Sequence, residues 1–95
     1  MLTRYETTAH LKQIVDGTHA ERITALQTIY AADEDAVTPL IDEFYAGVNE
    51  TTGLVIIALL HDIGGYEANQ LFQDILTFPQ PYQSWVWAAE MAQNP

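Results

Sequence analysis

The stretch Leu60-His61-Asp62-Ile63-Gly64-Gly65 lies at the end of the most apolar segment of the chain. Residues 53–63 are apolar on nearly every side, which is typical of a buried central helix. Within them, Leu54-Val55-Ile56-Ile57 would also suit a strand, but the chain offers no second strand to pair with it. The segment is therefore predicted to be a helix that Gly64-Gly65 terminates.

Upstream, apolar residues spaced three and four apart predict two further helices. The first covers about residues 5–16, and Gly17 is predicted to follow it as the C′ residue. Thr18 is a suitable N-cap for the second helix. Glu21 stands three residues later, so the pair is predicted to form a capping box.

The remaining helices are separated by polar or helix-breaking residues. Asp33-Glu34-Asp35 is predicted to end the second helix and to cap the third with negative charge. Thr51 or Thr52 is predicted to cap the helix at residues 53–63. A fifth helix begins near Ala68, and Phe78-Pro79-Gln80-Pro81 ends it. A last helix is predicted to run to Asn94-Pro95.

Length and composition describe one soluble domain spanning residues 1–95. The 95 residues suffice for a single core, and 48% of them are apolar, too many for a disordered chain. There is no cysteine, which excludes disulfides and thiolate metal sites. The chain shows no secretory leader, and its longest apolar run is too short to span a bilayer. A cytoplasmic location is expected, and no cofactor is predicted.

The charge is strongly unbalanced. Thirteen carboxylates face three basic residues, for a formal net charge of -10. The basic residues are Arg4, Lys12 and Arg22, so none follows Ile23. Such a surface repels nucleic acids and anionic membranes and favours a basic protein partner. The alternative is that the acidity serves solubility alone.

Internal similarity predicts the architecture. Placing Leu26 on Leu60 and Leu60 on Met91 aligns Ile23 with Ile57 and Ala88, at offsets of 34 and 31 residues. A period of this length with two helices per unit is typical of a solenoid, in which each helix pair stacks on the next. The predicted fold is all-α: a short right-handed solenoid of antiparallel helix pairs with five or six helices.

Two segments resemble HEAT-like repeats: Asp35-Ala36-Val37-Thr38-Pro39-Leu40-Ile41, and the corner from Leu60 through Ile63-Gly64 to Ala68. The resemblance covers about residues 18–92 and implies a protein–protein interaction module. The chain departs from the family pattern because it lacks basic residues in the second helices and its final unit has only a first helix. The resulting prediction is a non-enzymatic acidic scaffold, adaptor or inhibitor.

The segment Ala58-Leu59-Leu60-His61-Asp62-Ile63-Gly64 also resembles the metal-binding signature of HD phosphohydrolases. In that reading His61 and Asp62 bind a divalent metal that activates water, with His10 or His19 upstream and Asp74 downstream as further ligands. The family's lysine after the glycine is absent, and Gly65 stands there. A minimal HD-type phosphohydrolase is thus the alternative function.

Aromatic residues near the end of the chain form the second candidate binding surface. Tyr82, Trp85 and Trp87 lie within six residues. The two tryptophans project about 200° apart on a helix, so one is predicted to enter the core and the other to face outward. The predicted binding residues are these three together with Asp33, Glu34 and Asp35. Self-association through the last helix is the other use this surface could have.

Overall fold

The computed structural model describes residues 2–93, and this part of the chain folds into six α-helices without any strand. The prediction of an all-α chain is therefore confirmed, as is the helical interpretation of Leu54-Val55-Ile56-Ile57. The predicted end of the last helix at Asn94-Pro95 lies outside the described residues. The helices are α1 Arg4–Asp16, α2 His19–Ala32, α3 Val37–Ala46, α4 Glu50–Ile63, α5 Tyr66–Thr77 and α6 Gln83–Gln93.

Helix α2 begins as the sequence predicts. The Thr18 side chain accepts a hydrogen bond from the Glu21 backbone N–H at 3.2 Å, and the Glu21 carboxylate accepts one from the Thr18 N–H at 3.0 Å. This capping box is confirmed. Thr3 and Glu6 form a second capping box at the start of α1. Both helices thus have backbone donors satisfied locally at their first turns.

Two other predicted caps are wrong. Asp33-Glu34-Asp35 does not cap α3; the 3-10 turn Asp33–Ala36 joins α2 to α3 directly, and α3 has no side-chain cap. Asn49, rather than Thr51 or Thr52, caps α4 by accepting the Thr52 backbone N–H at 2.9 Å. The helix therefore starts at Glu50, one turn earlier than the apolar pattern indicates.

Glycines end α4 in the predicted place. Gly64 and Gly65 have φ values of 77° and 104°, in the region that side chains disfavour. Gly17, in contrast, is extended at the end of α1, so it does not provide the left-handed C′ residue that was predicted. The α4–α5 connection is thus a two-glycine turn, which places the start of α5 at Tyr66.

The core lies where all six helices meet. Helix α1 packs along α2 and also contacts α3 and α4, while α6 packs against both α4 and α5; α3 contacts α4 and α5. The largest fully buried side chains come from five helices: Ile29, Leu40, Ile56, Ile57, Leu60, Leu71, Phe72, Ile75 and Thr7. The described chain measures 35 × 25 × 24 Å.

Burial does not follow the offset of 34 residues between the first two helical units. Ile23 is 42% exposed where its aligned Ile57 is 2% exposed. The predicted alignment of the last unit also fails, at its offset of 31 residues, because Met91 is 74% exposed where Leu60 is fully buried. A constant spacing of 31 residues instead relates buried positions in both α2 with α4 and α3 with α5. The pairs are Ala25 with Ile56, Ile29 with Leu60, Val37 with Ala68, Leu40 with Leu71 and Phe44 with Ile75.

Candidate binding surfaces

The 3-10 turn between α2 and α3, here called the acidic turn, exposes Asp33, Glu34 and Asp35 to solvent. Two grooves open beside it, with volumes of about 390 Å³ and about 420 Å³. Glu34 and Asp35 line both grooves. The three predicted acidic residues thus lie on an accessible edge of the molecule.

Other elements add carboxylates to these two grooves. Glu67, from the first turn of α5, lines the first groove, and its carboxylate accepts the Thr38 hydroxyl at 3.1 Å. Asp42 from α3 lines the second groove. The one cation lining either groove is Arg4, whose Nε donates to Glu43 at 2.9 Å. The surface around the acidic turn is therefore strongly negative.

Trp85 is the tryptophan that enters the core. It is 5% exposed, and its indole Nε1–H donates to the Glu50 carbonyl at 3.0 Å. Its ring lies over Gly53, whose missing side chain leaves room for it. The rings of Phe44 and Tyr82 each have their centres 4.8 Å from that of Trp85. Trp85 was predicted as a binding residue, but most of its surface is used to join α6 to α3 and α4.

Trp87 is the tryptophan that faces outward. It is 60% exposed, and Met91, one turn later on α6, is 74% exposed. The predicted division of the two tryptophans between core and surface is confirmed. Tyr82 is half-buried against Trp85 and so supports the base of α6. Met91 also lines a shallow apolar depression of about 240 Å³ between α4 and α6.

The residues of the alternative metal site are not brought together. His61 and Asp62 are both exposed at the end of α4, with His61 Nδ1 3.9 Å from Asp62 Oδ1. The other Asp62 oxygen accepts the Tyr30 hydroxyl at 2.5 Å, and Asp74 accepts the Tyr45 hydroxyl. Throughout residues 2–93, no three His, Asp or Glu side chains are grouped as metal ligands.

A further groove, here called the Asp74 groove, was not predicted. It has a volume of about 440 Å³ and lies between α3, α5 and the connection to α6. Its lining is mainly apolar, and Asp74 is its one carboxylate. Asp74 accepts the Tyr45 hydroxyl at 2.5 Å. The pKa of Tyr45 is raised to about 12, mainly by partial burial of its hydroxyl and to a smaller extent by this hydrogen bond.

The Asp74 groove has no sequence signal of its own, because its lining residues extend from Phe44 to Trp85 and meet only in the folded chain. Comparisons with protein-family models, with curated proteins and with solved structures give no match to this chain. In the part of the chain that the structure describes, every helix is too short or too polar to cross a membrane.

Proposed function

We propose that this chain is a non-enzymatic protein–protein interaction module that binds a basic partner protein through the acidic turn. The observation that carries the proposal is that Glu34 and Asp35 line two adjoining grooves, with Asp42 and Glu67 added from other helices. Arg4, the cation beside them, already pairs with Glu43. A basic protein surface would meet several carboxylates there without a competing internal cation.

We further propose that the module is a HEAT-like array. The constant 31-residue spacing of buried positions supports this, because it relates α2 to α4 and α3 to α5 in one register. Glu43 and Asp74 are also 31 residues apart, and each accepts hydrogen bonds from the preceding odd-numbered helix. Glu43 bonds to Arg4 and Thr8 of α1, and Asp74 bonds to Tyr45 of α3. Such lateral bonds are what stacked repeats would use.

Trp87 is the second part of the proposed binding surface. An exposed tryptophan beside an exposed methionine offers a large apolar contact with few degrees of freedom to immobilise. Carboxylates at the acidic turn would steer the partner, and burial of Trp87 would slow its release. An adaptor and an inhibitor of a basic protein both fit this division of roles.

The test compares two variants that carry the same charge. Glu34→Gln with Asp35→Asn removes two carboxylates from the acidic turn, and Asp16→Asn with Glu90→Gln removes two exposed carboxylates elsewhere. Each tagged chain is used to capture proteins from an extract of the source cells, with quantification by mass spectrometry. We expect basic proteins captured by the native chain to be lost with the first variant and retained with the second.

If both variants lose the captured basic proteins equally, only net charge matters. If both retain them equally, the acidic turn is not part of the interface. Trp87→Ala is measured in parallel. We expect faster dissociation of the same partner and an unchanged association rate. Surface plasmon resonance measures both rates once that partner is purified.

A further inference from the structure

We propose that the Asp74 groove receives an arginine side chain from a basic partner protein. The site is separate from the acidic turn. The inference rests on the proposed function for the class of partner, and on the groove itself for the side chain that enters it.

The groove combines a buried apolar floor with exposed aromatic walls. Its floor includes Leu71 and Ile75, each 1% exposed, and Trp85, 5% exposed. Tyr45 and Phe78, on its walls, are 59% and 61% exposed. Both walls are therefore free to contact an incoming group. The volume of about 440 Å³ lies within the usual range for ligand-binding clefts.

The single carboxylate gives the groove a defined electrostatic preference. Asp74 is half-buried on α5, and no lysine or arginine lines the groove. Arg4 forms an ion pair with Glu43 and the His61 ring lies 3.9 Å from Asp62, so among the described residues neither contact involves Asp74. A carboxylate has lone pairs for about four hydrogen bonds. The Tyr45 hydroxyl uses one of them.

These features select among the side chains that could enter. A purely apolar group would remove water from Asp74 without replacing its hydrogen bonds, which is unfavourable. An acidic group would be repelled. A long cationic side chain can bury its methylene groups on the floor and place its charged end against Asp74. Arginine suits the aromatic walls better than lysine, because its planar and weakly hydrated guanidinium group stacks on rings.

The probe is the peptide acetyl-Ala-Ala-Arg-Ala-Ala-amide, titrated into the isotope-labelled chain and followed by NMR. Matched peptides carry norleucine or glutamate in place of arginine; norleucine keeps an aliphatic stem without the charge. We expect the arginine peptide to shift the backbone signals of Tyr45, Asp74 and Phe78. The norleucine and glutamate peptides are expected to leave them in place.

Asp74→Asn should weaken binding of the arginine peptide at least about tenfold, the loss expected for one charge-assisted hydrogen bond. Glu90→Gln removes one carboxylate that lines none of the grooves described above and should leave the affinity unchanged. Tyr45→Phe keeps the wall ring and the carboxylate, so binding should persist. This variant also separates loss of the cation contact from loss of the Tyr45 hydrogen bond.

Three results would overturn the inference: equal shifts with the norleucine peptide, equal weakening by Asp74→Asn and Glu90→Gln, or no shift in the groove at millimolar peptide. Shifts confined to Glu34 and Asp35 would also overturn it while leaving the proposed function intact. Conversely, arginine-dependent shifts confined to the Asp74 groove would support this inference even if the acidic-turn variants retain every partner.

Discussion

Asp33 has a backbone conformation that is unfavourable for any residue with a side chain. Its φ is 52° and its ψ is -125°, and it is the one non-glycine residue with positive φ in residues 2–93. Such conformations cost on the order of 1–3 kcal/mol. The residue opens the acidic turn, so the strain lies at the edge proposed to bind a partner.

Asp33→Gly should therefore stabilise the fold by about 1 kcal/mol, because glycine adopts this conformation without steric cost but loses more entropy on folding. In a chain of this length that corresponds to a rise of roughly 4–8 °C in the melting temperature. Urea unfolding and calorimetry measure both quantities. Asp35→Gly, in the same turn without positive φ, is the control and should destabilise the fold. A loss of stability with Asp33→Gly would contradict the strain argument.

Gly53 is required by the close approach of α4 and α6. A Cβ atom placed there would lie 2.3 Å from the Trp85 ring. Gly→Ala inside a helix ordinarily stabilises by up to about 1 kcal/mol. Here Gly53→Ala should instead cost about 2 kcal/mol through overpacking, since the Trp85 ring is held by its bond to Glu50.

Chemical denaturation measures the effect of Gly53→Ala. The matched test adds Trp85→Phe, which shortens the side chain facing residue 53. The cost of Gly53→Ala should shrink in that background, giving a measurable coupling energy between the two positions. Additive losses would show that the two residues do not compete for the same space.

At the scale of the helix, the capping box at Thr18 and Glu21 makes a defined contribution. Thr18→Ala removes the acceptor of the Glu21 N–H and should cost about 1 kcal/mol, measured by urea unfolding. Thr18→Ser keeps the hydroxyl acceptor and should stay close to the native chain. If the two variants lose stability equally, the hydroxyl has no part in starting α2.

The same box makes stability depend on acid. Hydrogen bonds from the Thr18 backbone and hydroxyl hold the pKa of Glu21 below its ordinary value of 4.5. A carboxyl with a lowered folded pKa contributes stability above its unfolded pKa, and that contribution is lost as pH falls through the folded pKa. Relative to Glu21→Gln, the native chain should lose stability between about pH 5 and pH 3. Parallel stability curves for the two chains would contradict this.

Local sequence determines some helix boundaries but not others. The Thr18 capping box and the break at Gly64-Gly65 depend on residues a few positions apart, so the sequence predicts them correctly. The start of α4 is different, because Thr51 and Thr52 are also good caps, and Asn49 prevails one turn upstream. The acidic residues after α2 form a 3-10 turn rather than a cap because α3 follows without a break.

At the scale of the molecule, hydrogen bonds between tyrosines and carboxylates link helices distant in sequence. Tyr30 of α2 donates to Asp62 of α4, and Tyr45 of α3 donates to Asp74 of α5, both at 2.5 Å. The bond to Asp62 and partial burial raise the pKa of Tyr30 to about 12, the value that Tyr45 also has. Each bond requires a protonated hydroxyl, so alkaline solution should weaken both links.

A raised folded pKa gives stability that is complete below the unfolded pKa of 10.0 and declines as pH rises toward 12. The double variant Tyr30→Phe with Tyr45→Phe should therefore lose less stability than the native chain between pH 10 and pH 12. Urea midpoints across that range measure the difference. The control is Tyr66→Phe, a tyrosine that is 76% exposed on α5 and should follow the native curve. If stability falls with rising pH equally in the native chain and the double variant, these bonds do not contribute to the loss of stability at alkaline pH.

The sequence predicts only part of the candidate sites, because some of their residues come together only in the folded molecule. Asp33, Glu34 and Asp35 are adjacent in the chain, so their clustering is visible before folding. Asp42 lies on α3, about two helical turns after Asp35, whereas Glu67 joins them only because α3 and α5 pack together. That the two tryptophans point in different directions follows from helical geometry. That Trp85 is the one that enters the core depends on the space at Gly53, which no local pattern specifies.

The placement of the three cations affects how the molecule meets another in solution. Arg4 and Lys12 lie on α1 and Arg22 on α2, so α3 to α6 carry carboxylates without a basic residue. The chain is therefore an electric dipole as well as an anion. The field of an approaching cationic protein exerts a torque on this chain. That torque turns the carboxylate-rich helices toward the cationic protein before contact. Productive collisions become more frequent, and dissolved salt reduces that advantage by screening the field over about 10 Å at 0.1 M.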